Sequence, residues 1–222
     1  LAPAGWQGGL PLTYHVGPGP ARLHLESRQD YAVRPIWNVI ATLKGRELPD
    51  QWVVCGNHRD AWTYGAVDPN SGTIALLDMA RAIGTLAKQG WHPRRTIVLA
   101  SWDGEEYGLL GSTEWAEANA EQLARNAIAY INVDAAVAGK DLRASGCHSL
   151  RDALAEAMAE VPSPDGGRSL FDAAKGKAWS EGKSDWARHN RERRWRGEPE
   201  RPFEFDVTPL GSGSDYTAFI DH

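Results

Sequence analysis

Residues 52–72 read WVVCGNHRDAWTYGAVDPNSG, and this stretch decides the fold. A β-branched apolar run closes on a glycine. His58, Asp60 and Asp68 follow, and a helical pattern starts directly behind them. Leu76, Met79, Ala80, Ile83, Leu86 and Ala87 recur at helical spacing over 71–88, with Gly90 as the stop signal. Strand, polar loop and helix in that order are the repeating unit of an α/β sheet, in which ligands gather outside the carboxyl ends of the strands.

Two more segments repeat the arrangement. Residues 96–106 read TIVLASWDGEE, a uniformly apolar strand of the kind covered on both faces, running into Glu105 and Glu106. Residues 128–134 read IAYINVD, within a strand over 127–133 that runs into Asp134. A helix is expected between them over about 111–125. Upstream, WNVIATLKG (37–45) and QWVVCGN (51–57) read as short strands joined as a hairpin through Glu47-Leu48-Pro49-Asp50. Downstream, Ser149 with Asp152 predicts a capped helix over 150–161 carrying Leu150, Leu154, Met158 and Val161 on one face. The expected fold class is α/β, a three-layer, mainly parallel sheet with flanking helices.

Composition narrows the function. The 222 residues are 42% hydrophobic, enough for one core with or without an appendage. A net charge of −5 gives no electrostatic footprint for nucleic acid. No apolar run approaches the roughly 20 residues that span a bilayer, and no basic segment followed by an apolar run reads as a signal peptide. Two cysteines, Cys55 and Cys147, read as free thiols. The span 179–205 is different in kind, with seven Lys/Arg and five Asp/Glu between Glu181 and Arg201. Interspersed signs and few aliphatics make it a solvated loop or exposed short helix, not an anion-binding patch.

One imidazole and several carboxylates at neighbouring strand ends make a hard site for a divalent metal, and zinc is the usual partner of His with Asp/Glu. Asp68 precedes a helix and can bridge two metals through its two oxygens. Asp60, two residues past His58, can orient the imidazole through the ring nitrogen that does not bind metal. Glu105 and Glu106 are adjacent and cannot point the same way, so one can bind metal while the other serves as general base. His15, His24, His92, His148 and His189 lack such partners and read as surface or packing residues. Asp68-Pro69 is a candidate cis peptide.

The motifs HRDAW…DPNSG, ASWDGEEYGLLGSTEW, YINVD and LGSGSDY occur in that order. Together they resemble the zinc aminopeptidase and carboxypeptidase family M28, in its glutamate carboxypeptidase II and transferrin-receptor-like branch. The resemblance runs from about Gly5 to Phe219, apart from the charged insertion. It implies a phosphorylase/hydrolase-like zinc-peptidase fold and a co-catalytic zinc pair that hydrolyses peptide bonds by metal-activated water. His58 and Asp134 would hold one zinc, Glu106 the other, Asp68 would bridge them, and Glu105 would be the general base. Glu114 and Glu117 match positions that help bind a structural calcium. Gly213 and Ser214 match positions lining the substrate pocket.

By the same resemblance, residues 1–30 are the return segment of a mostly absent protease-associated domain. Residues 31–222 are then a C-terminally truncated peptidase domain. The family's last zinc ligand, a histidine, lies well beyond LGSGSDY, and His222 does not match it, so the second zinc site is expected to lack a protein ligand within this chain. The parent is expected to be a homodimer acting on peptides, in an extracellular, periplasmic or membrane-anchored setting. Two other readings compete: a non-catalytic receptor-like homologue or inactive fragment that keeps the fold for protein binding, and a single-metal esterase or deacetylase.

Overall fold

The computed structural model describes residues 1–20, 22–137, 139–182 and 184–220; His222 lies outside them. The chain divides into two compact units, 1–35 and 36–222. The first holds a short 3-10 turn, Ala4–Trp6, and a Tyr14 carbonyl that accepts the Ala2 amide at 2.7 Å.

The second unit is built on four strands: β1 (Val39–Leu43), β2 (Leu48–His58), β3 (Arg95–Trp102) and β4 (Ala127–Asn132), in the order β1-β3-β2-β4. β3 and β4 both run parallel to β2, and β1 runs antiparallel to β3. The expected hairpin is therefore not formed. The turn signal at 47–50 falls largely inside β2, where Leu48 and Trp52 flank a register shift. β1 lies across β3 instead, with Val39 opposite Ser101 and Leu43 opposite Ile97. Local turn chemistry marks where a chain bends but carries no information about which strand lies next to which.

β2 is the central strand, and its last five residues, Val54 to His58, are buried. Alternation along it serves two faces. Cys55 packs with Leu99 and with Leu76 of α1 (Asn70–Lys88) on one side. On the other face Trp102 packs against Trp115, with ring centroids 5.3 Å apart. There α2 (Leu110–Ala118), α3 (Ala120–Asn126) and a 3-10 turn at Asp215–Phe219 form a second cluster around Ala116, Leu123 and Ala218. Helices on both faces of a mainly parallel sheet give the expected three layers.

The single helix expected over 111–125 is two, broken at Asn119, whose amide donates to the Trp115 carbonyl at 2.8 Å. The helix expected over 150–161 is α4 (Arg151–Glu160), and Ser149 does not cap it; Ser149 lies in a 3-10 turn, His148–Leu150. Of its expected apolar face only Met158 is buried. The charged stretch takes the second of its two expected forms, an exposed short helix. It contains the end of α5 (Leu170–Glu181) and all of α6 (Asp185–Trp195), capped by Ser169 and Ser184 respectively. Its charges pair at the surface, Arg193 with Glu198 and Arg194 with Glu200, above an aromatic packing of Trp179, Trp186 and Phe203. Both cysteines are free thiols, Cys55 buried and Cys147 exposed.

Candidate metal centre

Parallel register brings the motifs together. His58 ends β2 opposite Trp102 of β3, and Gly56 pairs with Asn132 of β4. The residues that follow Trp102 and Asn132 are the Asp103–Glu106 turn and Asp134, so three strand ends deliver His58, Glu105 and Asp134 to one edge. Their ligand atoms lie within 4.8 Å of one another, the one such group of three among the described residues. His58 Nε2 stands 3.0 Å from Asp134 Oδ1, 3.2 Å from Asp68 Oδ1 and 3.9 Å from Glu105 Oε2. Asp68 reaches it from the loop ahead of α1, and the Asp68–Pro69 peptide is cis.

The other ring nitrogen fixes the tautomer. His58 Nδ1 lies 3.0 Å from the backbone carbonyl of Asp60, and the Asp60 carboxylate is farther, at 3.6 Å. With Nδ1 turned to that carbonyl, Nε2 is the nitrogen that faces the carboxylates, where it can hold a proton or, once that proton leaves, a metal. The Asp60 carboxylate itself accepts the amide of Glu105 at 3.0 Å through Oδ1 and that of Glu106 at 3.1 Å through Oδ2. Asp60 therefore orients the ring through its main chain and holds the glutamate turn through its side chain. The second role was not anticipated. Arg59 reinforces the junction by donating to the Ser101 carbonyl at 3.0 Å and to Asp103 Oδ2 at 2.9 Å.

The remaining expected residues are placed less uniformly. Glu106 is not in the ligand group, although its amide is held beside it. Glu114 and Glu117 are exposed on α2 and join no ligand group. Ser214 is buried, and its hydroxyl donates to Asp134 Oδ2 at 2.6 Å and accepts from Asn132 Nδ2 at 2.9 Å, so it is engaged with a candidate ligand. Gly213 has a φ of 125°, the left-handed side that favours glycine.

Asp215 was missed, although it sits inside the GSGSDY motif. It is fully buried, and neither of its oxygens meets a donor in hydrogen-bonding geometry among the described residues. Burial pushes its carboxyl up to about 6, with the His58 charge opposing. Burial likewise pushes Glu105 up to about 7, with Asp215, Asp134 and Glu106 adding to it and His58 opposing. For His58, burial alone would lower the pKa, but the hydrogen bond and charge of Asp134, with Glu105 and Asp215, carry it up to about 9. Partial burial and the Asp134 charge raise Asp68. Asp134 resists its own burial through His58 and Ser214 and is lowered.

These shifts describe a cluster short of positive charge. Three carboxylates crowd one imidazole, a fourth is buried close by, and protons are retained near neutrality to relieve the repulsion. A hard divalent cation would take the place of those protons, and one nitrogen with several oxygens is a donor set that suits it.

The sequence is similar to those of known proteins. The family model for peptidase family M28 matches residues 38–193. A probable glutamate carboxypeptidase of Zea mays, VP8, is 51% identical over 167 residues, covering 73% of this chain and 23% of that protein. The probable glutamate carboxypeptidase LAMP1 of Arabidopsis thaliana is 43% identical over 211 residues, covering 94% of this chain and 28% of its own length. The mouse aminopeptidase NAALADL1 is 38% identical over 231 residues, covering 99% of this chain and 29% of that protein. The chain thus spans between a fifth and a third of the length of these relatives. No helix among the described residues is long and apolar enough to cross a membrane. The matched model covers more than half of the chain, so the chain belongs to peptidase family M28.

Proposed function

We propose that this chain is the core of a co-catalytic di-zinc exopeptidase domain that hydrolyses peptide bonds, with Glu105 as general base. The observation that carries the reading is the convergence of Asp134, Asp68 and Glu105 on His58 Nε2 within 3.0–3.9 Å. His58 and Asp134 would hold one zinc, Asp68 would bridge, and Glu106 would serve the second. Zinc, when bound, would supply Lewis acidity toward the scissile carbonyl and lower the pKa of a water.

The chain's own residues supply the remainder. The Glu105 side chain is 10% exposed and lies 3.9 Å from His58 Nε2, which places it to take a proton from water and release it to the leaving amine. Asp60 fixes that carboxylate's main chain, and the His58 tautomer presents Nε2 inward. The relatives carry both carboxypeptidase and aminopeptidase names, so the direction of cleavage has to be assayed from both ends.

The test combines metal content with turnover. Purified protein is expected to hold zinc that His58→Ala loses, and to cleave peptides blocked at one terminus but not at the other. Glu105→Gln should keep its zinc and lose hydrolysis. Loss of zinc in Glu105→Gln would reverse the roles given to Glu105 and Glu106, and a protein that takes up no zinc would refute the reading.

A further inference from the structure

Beneath the cluster runs a chain of polar groups, buried at Trp102 and Ser214 and half-buried between them, whose direction is fixed by its first member. Trp102 Nε1 lies 3.0 Å from Tyr130 Oη, Tyr130 Oη lies 3.1 Å from Asn132 Oδ1, Asn132 Nδ2 lies 2.9 Å from Ser214 Oγ, and Ser214 Oγ lies 2.6 Å from Asp134 Oδ2. An indole nitrogen can only donate. Tyr130 therefore accepts from Trp102 and spends its own proton on Asn132. That choice orients the amide, since the flipped amide would set an N–H donor against the phenol proton. Asn132 Nδ2 must then donate to Ser214, and the serine proton is left for Asp134.

We propose that Tyr130 is a positioning residue for Asp134, acting through Asn132 and Ser214 in a one-way hydrogen-bond chain that starts at Trp102. The inference rests on the metal-site reading. Asp134 has two oxygens, and the chain occupies Oδ2, which aims Oδ1 at His58 Nε2. Hydrogen-bonded partners behind a ligand set its orientation and basicity, and their loss typically costs about 10–100-fold in metal affinity.

Two independent observations show that the fold makes room for the chain. Gly56 sits inside β2, two residues before its end, where glycine weakens a sheet. A Cβ there would meet Tyr130 Oη at 2.3 Å and Trp102 Nε1 at 2.4 Å, so the bare backbone is where the first hydrogen bond passes. The Tyr130 ring also stacks on Phe219 at 3.9 Å, nearly parallel, four residues past the Asp215 that follows Ser214. Strand β4 and the GSGSDY turn are thus clamped together by the same tyrosine.

The experiment is a zinc competition against a chromophoric chelator with unsubstituted protein, Tyr130→Phe, Ser214→Ala and the double variant. Tyr130→Phe removes one oxygen and keeps the stacked ring. Ser214→Ala should weaken zinc about 10–100-fold and Tyr130→Phe roughly threefold to tenfold, and the double variant should be no weaker than Ser214→Ala alone. Unchanged zinc affinity in Tyr130→Phe, or losses that multiply in the double variant, would overturn the proposal. Should Tyr130→Phe fail to fold, Asn132→Asp keeps the shape, turns the donor into an acceptor and draws the serine proton from Asp134; it too must weaken zinc. If the unsubstituted protein binds no zinc, the metal-site reading fails, and the chain is read in the metal-free protein. Ser214→Ala must then quicken hydrogen exchange at the Trp102 indole, and an unchanged exchange rate overturns the chain.

Discussion

Asp60 Oδ1 accepts the backbone amide of Glu105 at 3.0 Å across 45 residues of sequence, and with Oδ2 on the Glu106 amide at 3.1 Å this carboxylate ties the imidazole loop to the glutamate turn. Because His58 is held by the Asp60 carbonyl and not by its carboxylate, the two jobs of Asp60 separate by mutation. Asp60→Ala should leave the His58 tautomer intact while freeing both glutamate amides. The expected outcome is a fall in kcat of about 10–100-fold with a much smaller change in zinc affinity. Steady-state kinetics beside chelator competition checks it. Equal losses in both would place the carboxylate on the imidazole after all.

The metal-free protein should lose stability as pH rises. Glu105 and Asp215 have folded pKa values of about 7 and about 6, above the roughly 4 of an unfolded carboxylate. Between those limits the folded chain binds more protons than the unfolded one, so stability falls with increasing pH. His58 acts in the same sense. Its raised pKa contributes stability that is complete below about 6.5 and is lost as pH climbs through about 9. Thermal unfolding in chelator should show Tm declining from pH 5 to pH 9, and added zinc should raise Tm more at pH 8 than at pH 5, because binding displaces those protons. A metal-free Tm that rises across this range would contradict the cluster's electrostatics.

Two glycines of α1 should respond to alanine with opposite signs. A Cβ on Gly72 would lie 1.6 Å from the Val133 carbonyl oxygen and 2.0 Å from that of Asp134, whereas Gly84 has nothing within 4 Å. Helix propensity favours alanine at both by up to about 1 kcal/mol. At Gly72 the obstacle is backbone, which can yield only by moving the turn that carries Asp134. Gly72→Ala should destabilise by about 1–3 kcal/mol and weaken zinc, and Gly84→Ala should stabilise by about 0.5–1 kcal/mol without touching it. Denaturant unfolding of the two variants decides.

What could be read from sequence was whatever local periodicity and motif order carry. The strands ending at His58, Trp102 and Asn132 and the helix behind Asp68 announce themselves, and the acidic residues after each strand follow from the rule that parallel sheets present ligands at their carboxyl ends. Strand neighbours were not legible, because β1 lies beside β3 through non-local pairing that a turn signal at 47–50 does not encode. Ser149 was read as a cap from spacing alone, yet the preceding turn leaves Leu150 in the capping position. Asp215 and the Tyr130–Asn132 pair were missed for another reason. A signal existed, namely two polar residues at i and i+2 on one face of an otherwise apolar strand, but what they bond to is set by Ser214, 82 residues past Asn132.

Glu105 should be a residue whose ionised form is costly to the fold in the absence of metal. Its side chain is largely buried beside Asp134 and Asp215, and its carboxyl is raised to about 7, so at pH 8 the metal-free protein carries an anion it resists. Glu105→Gln keeps the shape and the held main-chain amide while removing that charge. Allowing for solvent screening, the gain is of order 1 kcal/mol, which for a domain of this size is roughly 2–4 °C in Tm. The gain should shrink severalfold at pH 5, where the folded Glu105 is protonated and only the unfolded chain still ionises there, and turnover should be lost at both pH values. Scanning unfolding of the two proteins at pH 5 and pH 8 in chelator supplies the comparison. A Glu105→Gln protein less stable than its parent at pH 8 would mean that the carboxylate is held by favourable contacts, and that its poise as a base does not come from burial among like charges.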